Sequence, residues 1–378
     1  MPPRLTRAQI FHFRHMLKRP IPSTMGPLRC RPALLLRLED SEGAFGWGEI
    51  WCNFPPDGDL HRARLAANVL PAALDDVPLE RAFGTVAQRL HRIALQAGEP
   101  GPVSQIAAAV DIALHDLAAR RAGQPLARYL GANRLAVPAY ASGISPDAFE
   151  DQIATMRAKG YLWFKQRVGF GRDDSLPEAE AAARGLHSDE GFMLDANQAW
   201  DVGTAIASAK RLAPLNPVFL EEPLPADAPA SDWAQLAADC PIPLAAGENL
   251  RAQESFDEVV QERALSVLQP DLCKWGGISG CLAVARAATA AGQTYWPHYL
   301  GGGIGLMASA HLLAAVGGTG RLEVDSSENP LLTHFTPAGL TLDNGQFPLP
   351  DAPGLGFDPD IAGASDLLFD TRDLALTD

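Results

Sequence analysis

Three acids, Asp195, Glu221 and Glu248, each close a short apolar run, in "GFMLDAN", "PVFLEEP" and "IPLAAGE". Carboxylates brought close together repel unless they share a cation or keep protons. With only oxygen donors nearby, the cation expected is a hard one, Mg²⁺ before Mn²⁺ or Ca²⁺. Two further runs end in Asp271 and His298. A carboxylate on one imidazole nitrogen orients the ring and makes the other nitrogen a better base. In "LWFKQRVGFG", Lys165 and Arg167 sit one residue apart, so on a strand they share a face. Beside a metal they would bind and polarise a carboxylate. Each residue has a plainer reading. An acid after a strand serves equally well at a helix N-terminus, a histidine near a strand end can be structural, and paired cations can be solvated. The argument for chemistry rests on all of them occurring in register.

That register comes from spacing. Arg167, Asp195, Glu221, Glu248, Asp271, His298 and Glu323 follow one another at intervals of 23 to 28 residues, each at the downstream end of its run. Eight runs, "VPAYAS", "YLWFKQ", "GFMLDAN", "PVFLEEP", "IPLAAGE", "LSVLQPD", "TYWPH" and "RLEVD", alternate with helical patterns and predict βα units around a parallel sheet. A closed (β/α) barrel brings all those ends to one mouth. Ahead of it, "AQIFHFRHML" and the hairpin "ALLLRLED"–"AFGWGEIW" predict antiparallel strands. The segment "SQIAAAVDIALHDLAARRAG" predicts a helix, with Ser104 as N-cap and Gly123 at its end. The expected fold class is α/β, a modified TIM (β/α)-barrel with an N-terminal α+β capping domain. Its divisions are 1–130 for the cap, 131–330 for the barrel and 331–378 for a closing segment.

The chain has 378 residues, 47% of them apolar, and a net charge of 31 − 45 = −14, which argues against general nucleic-acid binding. Five cysteines without paired spacing indicate neither a disulfide framework nor a zinc site, and fit a reducing cytoplasm. The basic first twenty residues lack the apolar core of a targeting peptide, and no apolar run is long enough to span a bilayer.

In their order and spacing, "KQR", "LDANQAW", "FLEEPL", "AAGEN", "QPDLCKWGGISG", "WPHYLGGGIG" and "LEVDSSENPLL", with "AAVDIALHDLAARRAGQPLARYLGA" before them, resemble the enolase superfamily and within it the mandelate racemase subgroup. The resemblance covers most of the chain. It implies Mg²⁺ held by Asp195, Glu221 and Glu248, and the His298–Asp271 dyad as general base. Glu323, with Asp325 and Glu328 as neighbours, would match the acid that hydrogen-bonds an enediolate. The chemistry implied is removal of the proton next to a carboxylate, with Mg²⁺, Lys165 and Glu323 stabilising the charge that forms. A homo-oligomer, from dimer to octamer, is implied as well.

The departure is Arg167, where racemising members of the subgroup carry a second lysine base; a guanidinium stays protonated to about pH 12 and is a poor base. The expected activity is therefore dehydration of a sugar acid or diacid to a 2-keto-3-deoxy product. A racemase or epimerase of a 2-hydroxy acid, and a non-catalytic Mg²⁺/carboxylate-binding relative, are the alternatives. Lys274 corresponds to the base of another branch, but its odd offset from Asp271 would turn it away on a regular strand. Substrate contacts are expected from Asn197 and Lys274, and from the cap segments 18–30 and 50–59, with Arg19, Arg29, Trp51 and Asn53; solvated loops account for those cap residues equally well.

Overall fold

The structure is a computed structural model and describes residues 2–21, 26–98 and 100–376. Strands β1 (Leu5–Ile21), β2 (Leu28–Asp40) and β3 (Phe45–Ile50) form the expected antiparallel meander. The continuous apolar run of β2 has a physical reason. Leu34, Leu36 and Leu38 face a core with the helices Gly58–Leu74 and Ala82–Ala97, whereas Ala33 and Leu35 face a second core shared with the barrel. Side chains that alternate between two buried faces leave no position for a polar residue.

The long cap helix runs Pro100–Arg121. It starts four residues before Ser104, so Ser104 lies inside it and is not its N-cap. The helix rests directly on β3. A Cβ on Gly46 would stand 2.1 Å from Ala113 O and one on Gly48 2.0 Å from Ala109 O. The strand period of two and the helix period of four thus meet through two glycines.

Eight parallel strands follow: β4 (Ala136–Ile144), β5 (Trp163–Arg167), β6 (Gly191–Asp195), β7 (Leu220–Glu221), β8 (Leu244–Ala246), β9 (Val267–Leu268), β10 (Thr294–Tyr295) and β11 (Leu322–Asp325). These are the eight expected runs. Their order is β10-β9-β8-β7-β6-β5-β4-β11, and β11 pairs with β4 from Leu322↔Ala139 to Asp325↔Ser142. Among the described residues the ladder stays open only between β10 and β11, which the helix Gly303–Val316 connects. Tyr140, Met193, Phe219, Ala245, Val267 and Trp296 fill the barrel interior. The Trp296 ring lies 5.7 Å from Tyr140 and meets Phe219 edge-on at 5.3 Å. After the barrel, β12 (Gln346–Pro348) pairs with β4, and β13 (Leu368–Ala375) returns to the first sheet, antiparallel to β1.

His311, in the helix Gly303–Val316, is fully buried; its Nδ1 accepts from Ala127 N at 3.0 Å and its Nε2 bonds Leu355 O at 3.2 Å. Burial lowers its pKa from 6.5 to about 4. The unfolded chain therefore takes up this proton at a pH where the folded chain still refuses it. The associated stability is whole above about pH 6.5 and drains as the pH falls towards 4, by roughly 3 kcal/mol in total. His311→Gln keeps a donor and an acceptor but cannot titrate, so Tm measured from pH 7 to 4 should fall more steeply for the wild type than for the variant.

At the cap contact, Gly48→Ala should cost about 1–3 kcal/mol by overpacking against Ala109. A Cβ on Gly84, inside the helix Ala82–Ala97, meets nothing within 4 Å. Gly84→Ala should therefore raise stability by about 1 kcal/mol, and urea midpoints of the two variants should move in opposite directions.

Candidate active site

Period two carries the interior apolar layer into a charged one. Met193 precedes Asp195 by two residues, Phe219 precedes Glu221 and Trp296 precedes His298, so each polar group stands one step further up the barrel. Ladder register aligns three of the strand ends, with Arg167 opposite Asp195 and Asp195 opposite Glu221. Glu248 lies just beyond β8. Asp271 and His298 follow β9 and β10 on short extensions.

Lys165 is the hub. It is 2% exposed, and its Nζ lies 2.5 Å from Glu221 Oε2, 2.7 Å from Glu323 Oε1 and 3.8 Å from Asp195 Oδ2. Burial pushes this ammonium down, and the attraction of Glu221 and Glu323 outweighs that, holding it well above its usual range. Glu221 nevertheless rises to about 8, first through burial and then through repulsion from Asp195 and Glu323. Burial and the nearby Glu248 likewise raise Asp195. The layer thus holds more carboxylates than one lysine can neutralise.

On the other side, His298 Nδ1 lies 2.8 Å from Asp271 Oδ2, and its Nε2 lies 3.2 Å from Glu248 Oε2. Asp271 is itself fixed, its Oδ1 accepting from Cys273 N at 2.8 Å and Lys274 N at 3.1 Å. Burial pulls the imidazole pKa down, but Glu248 and Glu323 lift it to about 9. Lys274 Nζ donates to Glu248 Oε2 and stands 4.8 Å from the centre of the Trp51 ring. The expectation that an odd offset turns Lys274 away is therefore wrong. Past Leu268 the chain leaves the strand and turns from Asp271 to Lys274 and Trp275, so strand alternation no longer applies.

A cavity of about 220 Å³ opens above this layer. Arg167, Asp195, Asn197, Glu248, Lys274, His298 and Trp51 line it, together with Asn53, Asn249 and Arg251. Lys165, Glu221, Asp271 and Glu323 are buried beneath. Asn197 bonds Asp195 through its backbone N at 2.9 Å and its Nδ2 at 3.0 Å. The oxygens of Glu323 lie against Lys165 Nζ, Ser142 Oγ at 2.5 Å and Tyr299 N at 2.9 Å, so Glu323 orients Lys165. Its neighbour Asp325 instead meets Arg31 Nη2 at 2.7 Å.

Arg19 does not reach the site. It is exposed on β1 near the end of the β1–β2 ribbon, in strand and not in loop, and is absent from the cavity wall; Arg29 is exposed as well. Of the segment 18–30, residues 22–25 lie outside the described residues. Sequence reasoning missed Arg31, Ser142, Gln269, which donates to Glu221 Oε2 at 2.8 Å, and Glu49, whose carboxylate receives Gly302 N at 2.5 Å and Gly305 N at 3.0 Å. Gln269 stands two positions beyond the interior Val267, which was the available signal; the cap residues gave none.

Asp195, Glu221 and Glu248 suit a hard cation in donor type, in adjacency on three strands, and in the buried Glu221 Oε1, which has no hydrogen-bond partner. As placed, no three His, Cys, Asp or Glu side chains among the described residues stand at ligand spacing. Lys165 and Lys274 hold Glu221 and Glu248, and these side chains must turn for three oxygens to share one ion.

Residues 5–131 match the mandelate racemase / muconate lactonizing enzyme N-terminal domain family, and residues 148–363 the enolase C-terminal domain-like family. A crystal structure of a mandelate racemase/muconate lactonizing enzyme from Bordetella bronchiseptica RB50 is 47% identical, with a TM-score of 0.90, over 97% of this chain and 100% of that one. The D-galactarolactone cycloisomerase of Agrobacterium fabrum is 28% identical over 94% of this chain and 96% of its own. An L-talarate/galactarate dehydratase from Salmonella typhimurium LT2, solved with Mg and L-lyxarohydroxamate, is 25% identical with a TM-score of 0.89, over 100% of this chain and 96% of that one. With both of its parts matched along most of their length, the chain belongs to the enolase superfamily and, within it, to the mandelate racemase subgroup.

Proposed function

We propose that the protein is a Mg²⁺-dependent dehydratase of sugar acids, which takes the proton next to a carboxylate and then eliminates water from the adjacent carbon. The observation that carries this reading is the asymmetry of the cavity: a histidine with its aspartate on one side and, on β5, a guanidinium in place of a second titratable base. Asp195, Glu221 and Glu248 would hold the ion. When bound, Mg²⁺ polarises the substrate carboxylate and offsets charge developing on its oxygens.

The remaining steps belong to the chain. Asp271 keeps the His298 Nδ1 proton in place, which leaves Nε2 to accept the α-proton. Lys165, steered by Glu323, directs its ammonium at the carboxylate end, where charge grows in the transition state. Arg167 lines the cavity and binds a carboxylate or hydroxyl of the substrate. As the electron pair left on the α-carbon expels the β-hydroxyl, the proton on His298 is available to the departing oxygen; water leaves, and the enol becomes a 2-keto-3-deoxy acid. Lys274, whose Nζ donates to Glu248 Oε2 and which lines the cavity beside His298, would contribute a further positive charge to the substrate's oxygens.

The deciding assay is incubation of the Mg²⁺-loaded protein in D₂O with aldonic and aldaric acids. Keto acid formation is expected. Deuterium at the α-carbon with inverted configuration and no keto acid would make the protein a racemase or epimerase, and no reaction across a broad panel would leave a non-catalytic binder. His298→Asn should reduce α-proton exchange by about 10²- to 10⁴-fold while Mg²⁺ still binds; retained exchange would transfer the base role to another group. Glu248→Gln should weaken Mn²⁺, followed by its spin-resonance signal, by more than about tenfold.

A further inference from the structure

We propose that Arg31, supplied by the cap, anchors a second carboxylate at the far end of the substrate, so that the preferred substrates are diacids. This deepens the dehydratase reading and relies on it for the placement of the first carboxylate. Arg31 lies on β2 and is 4% exposed, yet it lines the cavity. Three acceptors, one at the end of β11 and two just after it, hold its guanidinium. Nη2 meets Asp325 Oδ2 at 2.7 Å and Ser327 Oγ, and Nε donates to Glu328 O at 3.3 Å. Nη1 has no hydrogen-bond partner among the described residues, in a side chain that lines the cavity. A guanidinium fixed along two edges and unpartnered on the third is pre-organised for an anionic oxygen, and removal from bulk water makes that contact strong.

A second guanidinium lies on the same side of the mouth. Arg167 Nη2 and Asp325 Oδ1 both lie within 3.7 Å of the point where a Cβ of Gly143 would stand. Arg167, which also acts on Asp195 across the β5–β6 ladder, thus stands near the Arg31–Asp325 pair on the β4–β5–β11 side of the mouth. Asp195, Glu221 and Glu248 occupy β6 to β8, two to four strands round the barrel from β4. A substrate whose reacting carboxylate sits by the acids would extend its other end towards Arg31. A terminal hydroxyl there offers the guanidinium a neutral acceptor, and a carboxylate a charged one, which forms the stronger bond.

The test uses matched six-carbon acids, aldarates and aldonates, identical except for a carboxylate or a hydroxymethyl group at the far end. Binding to the Mg²⁺-loaded protein is measured by calorimetry and turnover by keto acid release. The wild type should prefer aldarates by about 30- to 100-fold. Arg31→Gln should collapse that ratio towards one by raising KM for the aldarate with little change in kcat, and Arg31→Lys should recover part of it. A wild type that binds both classes equally overturns the proposal, as does an Arg31→Gln variant whose aldarate to aldonate ratio is intact. If Arg31→Gln does not fold, the wild-type ratio and Arg31→Lys still decide. Diacid-selective binding without keto acid would sink the dehydratase reading and leave Arg31 as the anchor; keto acid from both classes without selectivity would do the reverse.

Discussion

A lysine buried among carboxylates sets the terms for this structure. Moving ions out of water costs several kcal/mol each, and pairing repays that only where geometry is good and the remaining lone pairs are satisfied. Lys165 comes close to that condition by touching Glu221 and Glu323 at once: Gln269 shares Glu221 Oε2 with it, Ser142 shares Glu323 Oε1, and Tyr299 N takes Glu323 Oε2, which leaves Glu221 Oε1 without a partner. The aromatic layer below, Tyr140, Phe219 and Trp296, excludes water and deepens both the penalty and the attraction. Each charged side chain is therefore held by the others, which is how an active site keeps groups at fixed positions before substrate arrives.

The cap takes part in this arrangement. Glu49 on β3 receives the backbone N–H groups of Gly302 and Gly305 at the start of the helix Gly303–Val316, where an anion is favoured. Asn53 donates to Leu300 O at 2.7 Å, and Asn329 to Gly301 O at 2.8 Å. The segment immediately after His298 is thus tied from several directions, two of them in the cap. A cap displaced from the barrel would disturb the base as well as the substrate contacts.

The barrel was legible because its signals are local and periodic. Eight apolar runs correspond to eight strands, and polar residues two positions beyond an interior apolar one fall at the mouth, as Met193 and Asp195 do. Legibility stopped where the backbone left the strand. Lys274 follows a turn, so an alternation argument from Asp271 assigned it the wrong side. Glu323 and Asp325 share a face and differ only in depth, which no pattern records: the deeper one meets Lys165, the shallower one Arg31. Ser104 looks like a helix start because its side chain suits one, yet the helix begins four residues upstream at Pro100. The cap residues were the hardest to read. Arg19, Arg29 and Arg31 are alike in composition, and only the docking of the ribbon on the barrel determines which of them is buried.

The same docking explains why selectivity and chemistry can vary separately in this architecture. Proton abstraction depends on barrel residues that hold one another in a buried network, where loss of one partner strands another charge at a cost of about 3–5 kcal/mol. Substitution there is tightly constrained. Arg31 is fastened to Asp325, Ser327 and the Glu328 carbonyl at the rim, and shares no acceptor with Lys165 or His298. A change at the rim alters which far end of a substrate is accepted while leaving the buried network its partners. A change at Lys165 removes the common neighbour of Glu221 and Glu323 and is felt across the whole layer. The division between deep, interlocked chemistry and shallow, replaceable recognition thus follows from how much charge each level buries.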